Sequence, residues 1–147
     1  PQGFDLTPNV NGTPTSRPDQ PIGASAGTPV WGPFYAKFKK CALEVTGSSK
    51  CEPYNYGIYR PSSMCHGVSR AIDVHAMRCL PESGEGQAVI HTAMQNGKFA
   101  QLTECMKRDG MKTIWHQCFI NCTPFNVTNH HYDHAHFSIG CPAPFRW

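Results

Sequence analysis

The stretch His130-His-Tyr-Asp-His-Ala-His-Phe-Ser-Ile-Gly-Cys141 sets the reading of the whole chain. Four of the eight histidines fall within its first seven positions. Its second half, His134-Ala-His-Phe-Ser-Ile139, alternates as a half-buried strand does. Side chains two apart on a strand share a face, so His134 and His136 are expected to point together, with Asp133, Ala135 and Phe137 on the other side. Neutral imidazole is the commonest side-chain metal ligand, and two of them aimed the same way suggest a site.

A second such stretch lies upstream. Ser69 to Val74 reads as a strand with Ala71 and Asp73 on one face and Arg70, Ile72 and Val74 on the other, and His66 sits in the turn just before it. A turn followed by a strand lets His66 fold back toward the carboxylate that the strand displays. Hydrolytic zinc is held by three ligands drawn from His, Asp or Glu, with water in the fourth place. His66, Asp73 and one histidine of the later strand would supply that set if the two strands pair.

Composition limits what surrounds these segments. A chain of 147 residues suits one domain, and 39% hydrophobic residues with 13 Gly and 13 Pro describe a loop-rich globular protein. No apolar run is long enough to span a bilayer, and a scattered net charge of +3 lacks the basic patch of a nucleic-acid binder. Eight cysteines, an even number, point to disulfides and to a secreted or periplasmic setting. The expected bridges are Cys41 to Cys51 and Cys118 to Cys122, with Cys65, Cys79, Cys105 and Cys141 pairing among themselves. The sequence starts at Pro1 without Met or an apolar leader, so any export signal is expected to have been removed or to lie outside this sequence.

Residues 1–30 are rich in Pro, Gly and Thr and read as a tail or linker, leaving 31–147 as the domain. Pro33 to Glu44 is expected to be the first helix, and Gly47 to Arg60 a loop whose Tyr54, Tyr56 and Tyr59 pack rather than bind. The apolar spacing from Glu82 to Lys107 predicts two helices separated by a stop at Asn96-Gly97. Lys112 to Phe119 is expected to be a strand. The order gives an α+β domain, a small and mostly antiparallel sheet flanked by helices and stabilised by disulfides.

The run His66-Gly-Val-Ser-Arg-Ala-Ile-Asp73, followed by His131-Tyr-Asp-His134-Ala-His136, resembles the two signatures of the zinc peptidases that unite lysostaphin, the D-Ala-D-Ala metallopeptidases and the hedgehog fold. With Cys141-Pro142 after it, the pattern is most similar to the penicillin-insensitive murein endopeptidases, and bacterial extensin-like C-terminal domains share much of it. The resemblance spans roughly residues 60–80 and 128–143. It implies that His66, Asp73 and His136 bind Zn2+, that His134 is the catalytic histidine, and that His131 is a second site histidine. The chain departs from the pattern at Ser69, where the family usually has Gly.

The resemblance implies a secreted or periplasmic zinc peptidase acting on peptidoglycan stem peptides or cross-links next to D-alanine, a murein endopeptidase. A D,D-carboxypeptidase of the same fold and a non-catalytic zinc-containing wall-binding module are the alternatives. No nucleic acid or membrane span is expected, and a monomer is. Zinc would bring its bound water to a pKa of about 7, and His134, then His131, would move the proton. Strand alternation turns Asp133 away from the metal, so it is assigned to orienting a histidine, with the role of base as its alternative.

Other residues carry lesser readings. His75, two after Asp73, would share its face and is either a substitute ligand or a buried strand histidine. His91 and His116 are expected on a helix and a strand, and His130 could exchange roles with His131. Arg70 would bind a substrate carboxylate or form a surface salt bridge. Trp115, Tyr132 and Phe137 read as core. Asn11, Asn121 and Asn126 begin glycosylation sequons that a bacterial envelope leaves unmodified. A structural zinc knuckle of Cys118, Cys122, His134 and His136 is a further reading. A catalytic cysteine is disfavoured because an even set of cysteines in an oxidising compartment leaves no spare thiolate.

Overall fold

The structure is a computed structural model, which describes residues 28–58, 63–95, 97–115 and 134–145. Helix α1 (Trp31–Thr46) forms because Trp31, Phe34, Phe38, Cys41 and Ala42 recur at three-to-four spacing and bury one stripe. It runs two residues beyond each expected end. Gly47 stops it in the left-handed conformation (φ 78°), its N–H donating to the Leu43 carbonyl at 2.8 Å. Val30, which composition assigns to the tail, is buried in the core.

Five strands follow: β1 (Cys51–Gly57), β2 (Ala71–Cys79), β3 (Val89–Thr92), β4 (Lys112–Ile114) and β5 (Ala135–Ser138). They form one antiparallel sheet in the order β1-β2-β5-β4, with β3 also paired to β2. The long β2 organises the sheet. One of its edges takes β1, and the other takes β5 along residues 71–74 and β3 along 76–79, so β3 and β5 lie end to end. With helices α1 and α2 (Lys98–Arg108), this is the expected disulfide-stabilised α+β domain.

Three local expectations fail. The segment expected to be a loop contains β1, where Pro53 is tolerated because β1 pairs with β2 alone among the described residues, and an outer edge needs no N–H from proline. The first of the two expected helices is instead β3 followed by one 3-10 turn, Ala93–Gln95. Val89, Ile90 and Thr92 are β-branched and pair with Cys79, Arg78 and Ala76, so sheet pairing overrides the helical spacing, and His91 belongs to this strand. Gly97 proves to be the start of α2, with φ 62° at its N-terminal boundary, rather than the end of a helix before it. The expected strand from Lys112 is described only to Ile114, and 116–119 lie outside the described residues.

The bridges differ from expectation as well. Cys41 pairs with Cys105, joining α1 to α2, and not with Cys51, which pairs with Cys79 directly opposite it across β1 and β2. Cys65 pairs with Cys141, within the expected group of four, while Cys118 and Cys122 lie outside the described residues. Local sequence separation misled here. The bridges span 64, 28 and 76 residues, and loops of that size each contribute about 3–5 kcal/mol in the chain-entropy account.

The helices cover one face of the sheet. Phe34 of α1 packs on Phe137 of β5 at 5.7 Å between ring centroids, and Ile72, Val74, Ala135, Met77 and Cys79 join this core. The core positions of β2 are thus Ile72, Val74, Met77 and Cys79, with a step of three at His75 where the pairing with β1 skips a residue. A bulge at His75 therefore breaks the alternation. Asp73 and His136, paired across β2 and β5, stand on the face opposite the helices.

Candidate metal centre

His66 lies in the 3-10 turn Cys65–Val68, which reverses the chain into β2. Ser69 closes the turn at φ 57° and ψ 34°, a conformation that usually calls for glycine, with its N–H donating to the His66 carbonyl at 3.2 Å. The Arg70 N–H donates to the Cys65 carbonyl at 3.0 Å. A serine at this position therefore closes the turn without glycine. The Cys65–Cys141 bridge ties it to the segment after β5. The Arg70 Nε–H donates to the Gly140 carbonyl at 2.6 Å, fastening the same two segments.

Three donor atoms converge above this turn. His66 Nε2 and His136 Nδ1 each lie 3.2 Å from Asp73 Oδ1 and 3.2 Å from one another. All three side chains are buried. An ion bound tetrahedrally at about 2.0–2.1 Å to imidazole nitrogen and carboxylate oxygen separates its ligand atoms by about 3.3–3.4 Å. The triangle matches that spacing.

The protonation pattern points the same way. His66 Nδ1 is 2.7 Å from the Ile58 carbonyl oxygen, which can only accept, so Nδ1 carries the proton. In the neutral ring Nε2 then presents a lone pair to a carboxylate oxygen and to a second imidazole nitrogen. One proton shared at the centre satisfies only part of this triangle, whereas a cation satisfies all three atoms. The bond from His66 to a backbone carbonyl is the outer contact that fixes the tautomer and orientation of metal-ligating histidines.

Burial alone would push the Asp73 carboxyl up. When the surrounding imidazoles are protonated, as opposed to ligating a cation, hydrogen bonds from His136 and His66, with the charges of His134 and His66, hold it well below the usual carboxylate range. It is an ionised, fully enclosed carboxylate, suited to a hard or borderline cation.

His134, just before β5, is partly exposed and brings Nε2 to 3.9 Å from Asp73 Oδ2, the carboxylate oxygen not used in the triangle. The sequence expectation that His134 and His136 aim together is met at Asp73. His75 does not join them: it is buried at the bulge, its ring 6.2 Å from that of Tyr54, and is absent from the converging group. His130, His131, Tyr132, Asp133 and His116 lie outside the described residues. Trp115 packs edge-on to Phe99 at 5.2 Å and Phe137 lies in the core, so both are packing residues. Another group with metal-like spacing, Cys41, Cys105 and Asp109, has its two sulfurs in a disulfide and offers no thiolate.

Sequence reasoning missed the Ile58 carbonyl, which no side-chain pattern reveals. It also missed a cleft of about 330 Å³ lined by Lys112, Thr113, Ile114, His136 and Ser138, created when β4 pairs with β5. Comparisons of the chain with family models, curated proteins and solved structures found no match in any of the three. Function is therefore argued from the site.

Proposed function

We propose that the protein is a zinc peptidase of an oxidising compartment, the cell envelope, hydrolysing peptidoglycan peptides next to D-alanine. The observation that carries this reading is the triangle of His66 Nε2, Asp73 Oδ1 and His136 Nδ1, each pair 3.2 Å apart. Two imidazoles and one carboxylate are a typical catalytic zinc set, which leaves a position open for chemistry. The disulfides support an oxidising setting. Peptidoglycan as substrate rests on the motif resemblance around these residues.

When bound, zinc supplies a Lewis acid that polarises a peptide carbonyl and acidifies a hydrolytic water. The protein's own groups do the rest. His66 and His136 are held in place as donors, the first by Ile58 and the second by its position opposite Asp73 on β5. His134 keeps an exposed edge beside Asp73 Oδ2, 3.9 Å from it. It accepts the proton of the attacking water and passes it to the leaving amine.

The test is mass spectrometry of cross-linked muropeptides incubated with the protein, with and without a chelator. Chelator-sensitive conversion of dimers to monomers supports a cross-link endopeptidase, and loss of a terminal alanine alone makes it a carboxypeptidase. No cleavage by fully metallated protein overturns the peptidase reading and leaves a wall-binding module.

A further inference from the structure

The cleft beside the triangle has a chemical polarity of its own. Asp73, His136 and Ile114 are neighbours in one row across β2, β5 and β4, and Ala71, Ser138 and Lys112 form the next row on the same face. Two residues along a strand advance the surface by roughly 7 Å. The cleft, which Thr113 also lines, thus starts at His136, passes the methyl-bearing Ile114 and the buried Ser138, and ends at Lys112.

At that end stands an ammonium with no hydrogen bond or ion pair among the described residues. Lys112 Cε and Nζ lie 3.9 Å from where a Cβ on Gly140 would stand, so the side chain lies along Gly140, on the side of Ser138 away from His136. The Gly140 N–H donates to Ser138 Oγ at 3.4 Å, and the Gly140 carbonyl is held by Arg70, which fixes the floor beneath the lysine. A volume of about 330 Å³ is at the lower end of the range for ligand clefts, about 300–1,000 Å³. It seats a short peptide segment and no folded partner.

We propose that Lys112 is a substrate-binding residue that pairs with the C-terminal carboxylate of a peptide whose last residues lie in this cleft, next to His136. This rests on the peptidase reading for its biological substrate and narrows that substrate to peptides with a free chain end near the reacting bond. A small apolar side chain such as that of alanine matches the Ile114 wall, and a carboxylate matches the Lys112 ammonium at its end.

The test is calorimetric binding to the zinc-loaded full-length protein of a short N-acetylated peptide ending in D-alanine, as the free acid and as the C-terminal amide. The expected result is binding of the acid at least about tenfold tighter than the amide. Lys112→Met should erase that difference, and Lys112→Arg should preserve it. Equal affinity for the two forms, no binding of either, or discrimination that survives in Lys112→Met overturns the assignment. Discrimination that depends on Lys112 without any peptide cleavage keeps the carboxylate subsite and rejects the peptidase reading, so the two failures are distinguishable.

Discussion

Asp73 and His136 stand directly opposite one another across the antiparallel β2–β5 pair, with His136 Nδ1 3.2 Å from Asp73 Oδ1. Strand register alone creates this contact, and His66 is delivered to it by the turn that begins β2. A one-residue slip of β5 would turn His136 toward the helices and replace it with a core residue.

Asp73→Asn keeps the shape of the site and removes its charge. Zinc retained after dialysis, measured by elemental mass spectrometry, should fall from about one ion per chain to under about a tenth of that, with the disulfides intact. Unchanged zinc content in this variant would mean that the metal sits elsewhere.

His134→Ala should leave metal content unchanged and lower turnover of a cleavable muropeptide by roughly 100-fold or more, the usual scale for a lost general acid–base. The two quantities must separate. Loss of zinc in step with activity would make His134 a ligand.

Acid sensitivity follows from the depressed Asp73 carboxyl. A group whose folded pKa lies below its ordinary value of 3.8 adds stability that is present above that value and disappears as pH falls toward the folded one. In chelator-treated protein, denaturant titrations should show stability falling below about pH 4, and falling less steeply in Asp73→Asn. Identical slopes would remove Asp73 as the source.

Ser69→Gly relieves a left-handed residue in the turn carrying His66. A stability gain of up to about 1 kcal/mol is expected by chemical denaturation, since the steric cost at Ser69 exceeds the added chain entropy of Gly. A loss of stability would show that the Ser69 side chain is an anchor.

Removing the Cys65–Cys141 bridge by paired alanines should weaken zinc binding more than removing Cys41–Cys105. The first joins the His66 turn to the chain after β5, and the second joins helices on the other face. Both loops are long, so the global stability losses should be similar, about 3–5 kcal/mol. Equal effects on zinc affinity would deny the Cys65–Cys141 bridge any role in placing His66.

Much of the candidate site was legible because its signals are local. The alternation of His134-Ala-His136-Phe placed one strand, and the interval from His66 to Asp73 placed the turn and the other, so their pairing followed from a single assumption about register. What misled was non-local. Val89 to Thr92 carries helical spacing only when read with Ala93 and Met94, and β2 draws it into the sheet. Pro53 hid β1 because an outer edge cannot be recognised before the sheet is assembled. His75 lies at the bulge and stands apart from the converging group, although it is only two residues from Asp73. Cysteine partners follow the packing of α1 on α2 and of β1 on β2, which sequence distance does not encode.

The most direct measurement is zinc K-edge X-ray absorption on the zinc-loaded protein. The triangle of His66, Asp73 and His136 predicts a shell of nitrogen and oxygen at about 2.0–2.1 Å, imidazole scattering from two rings and no sulfur. A sulfur shell near about 2.3 Å would contradict it and point instead to a structural knuckle that draws on the cysteines.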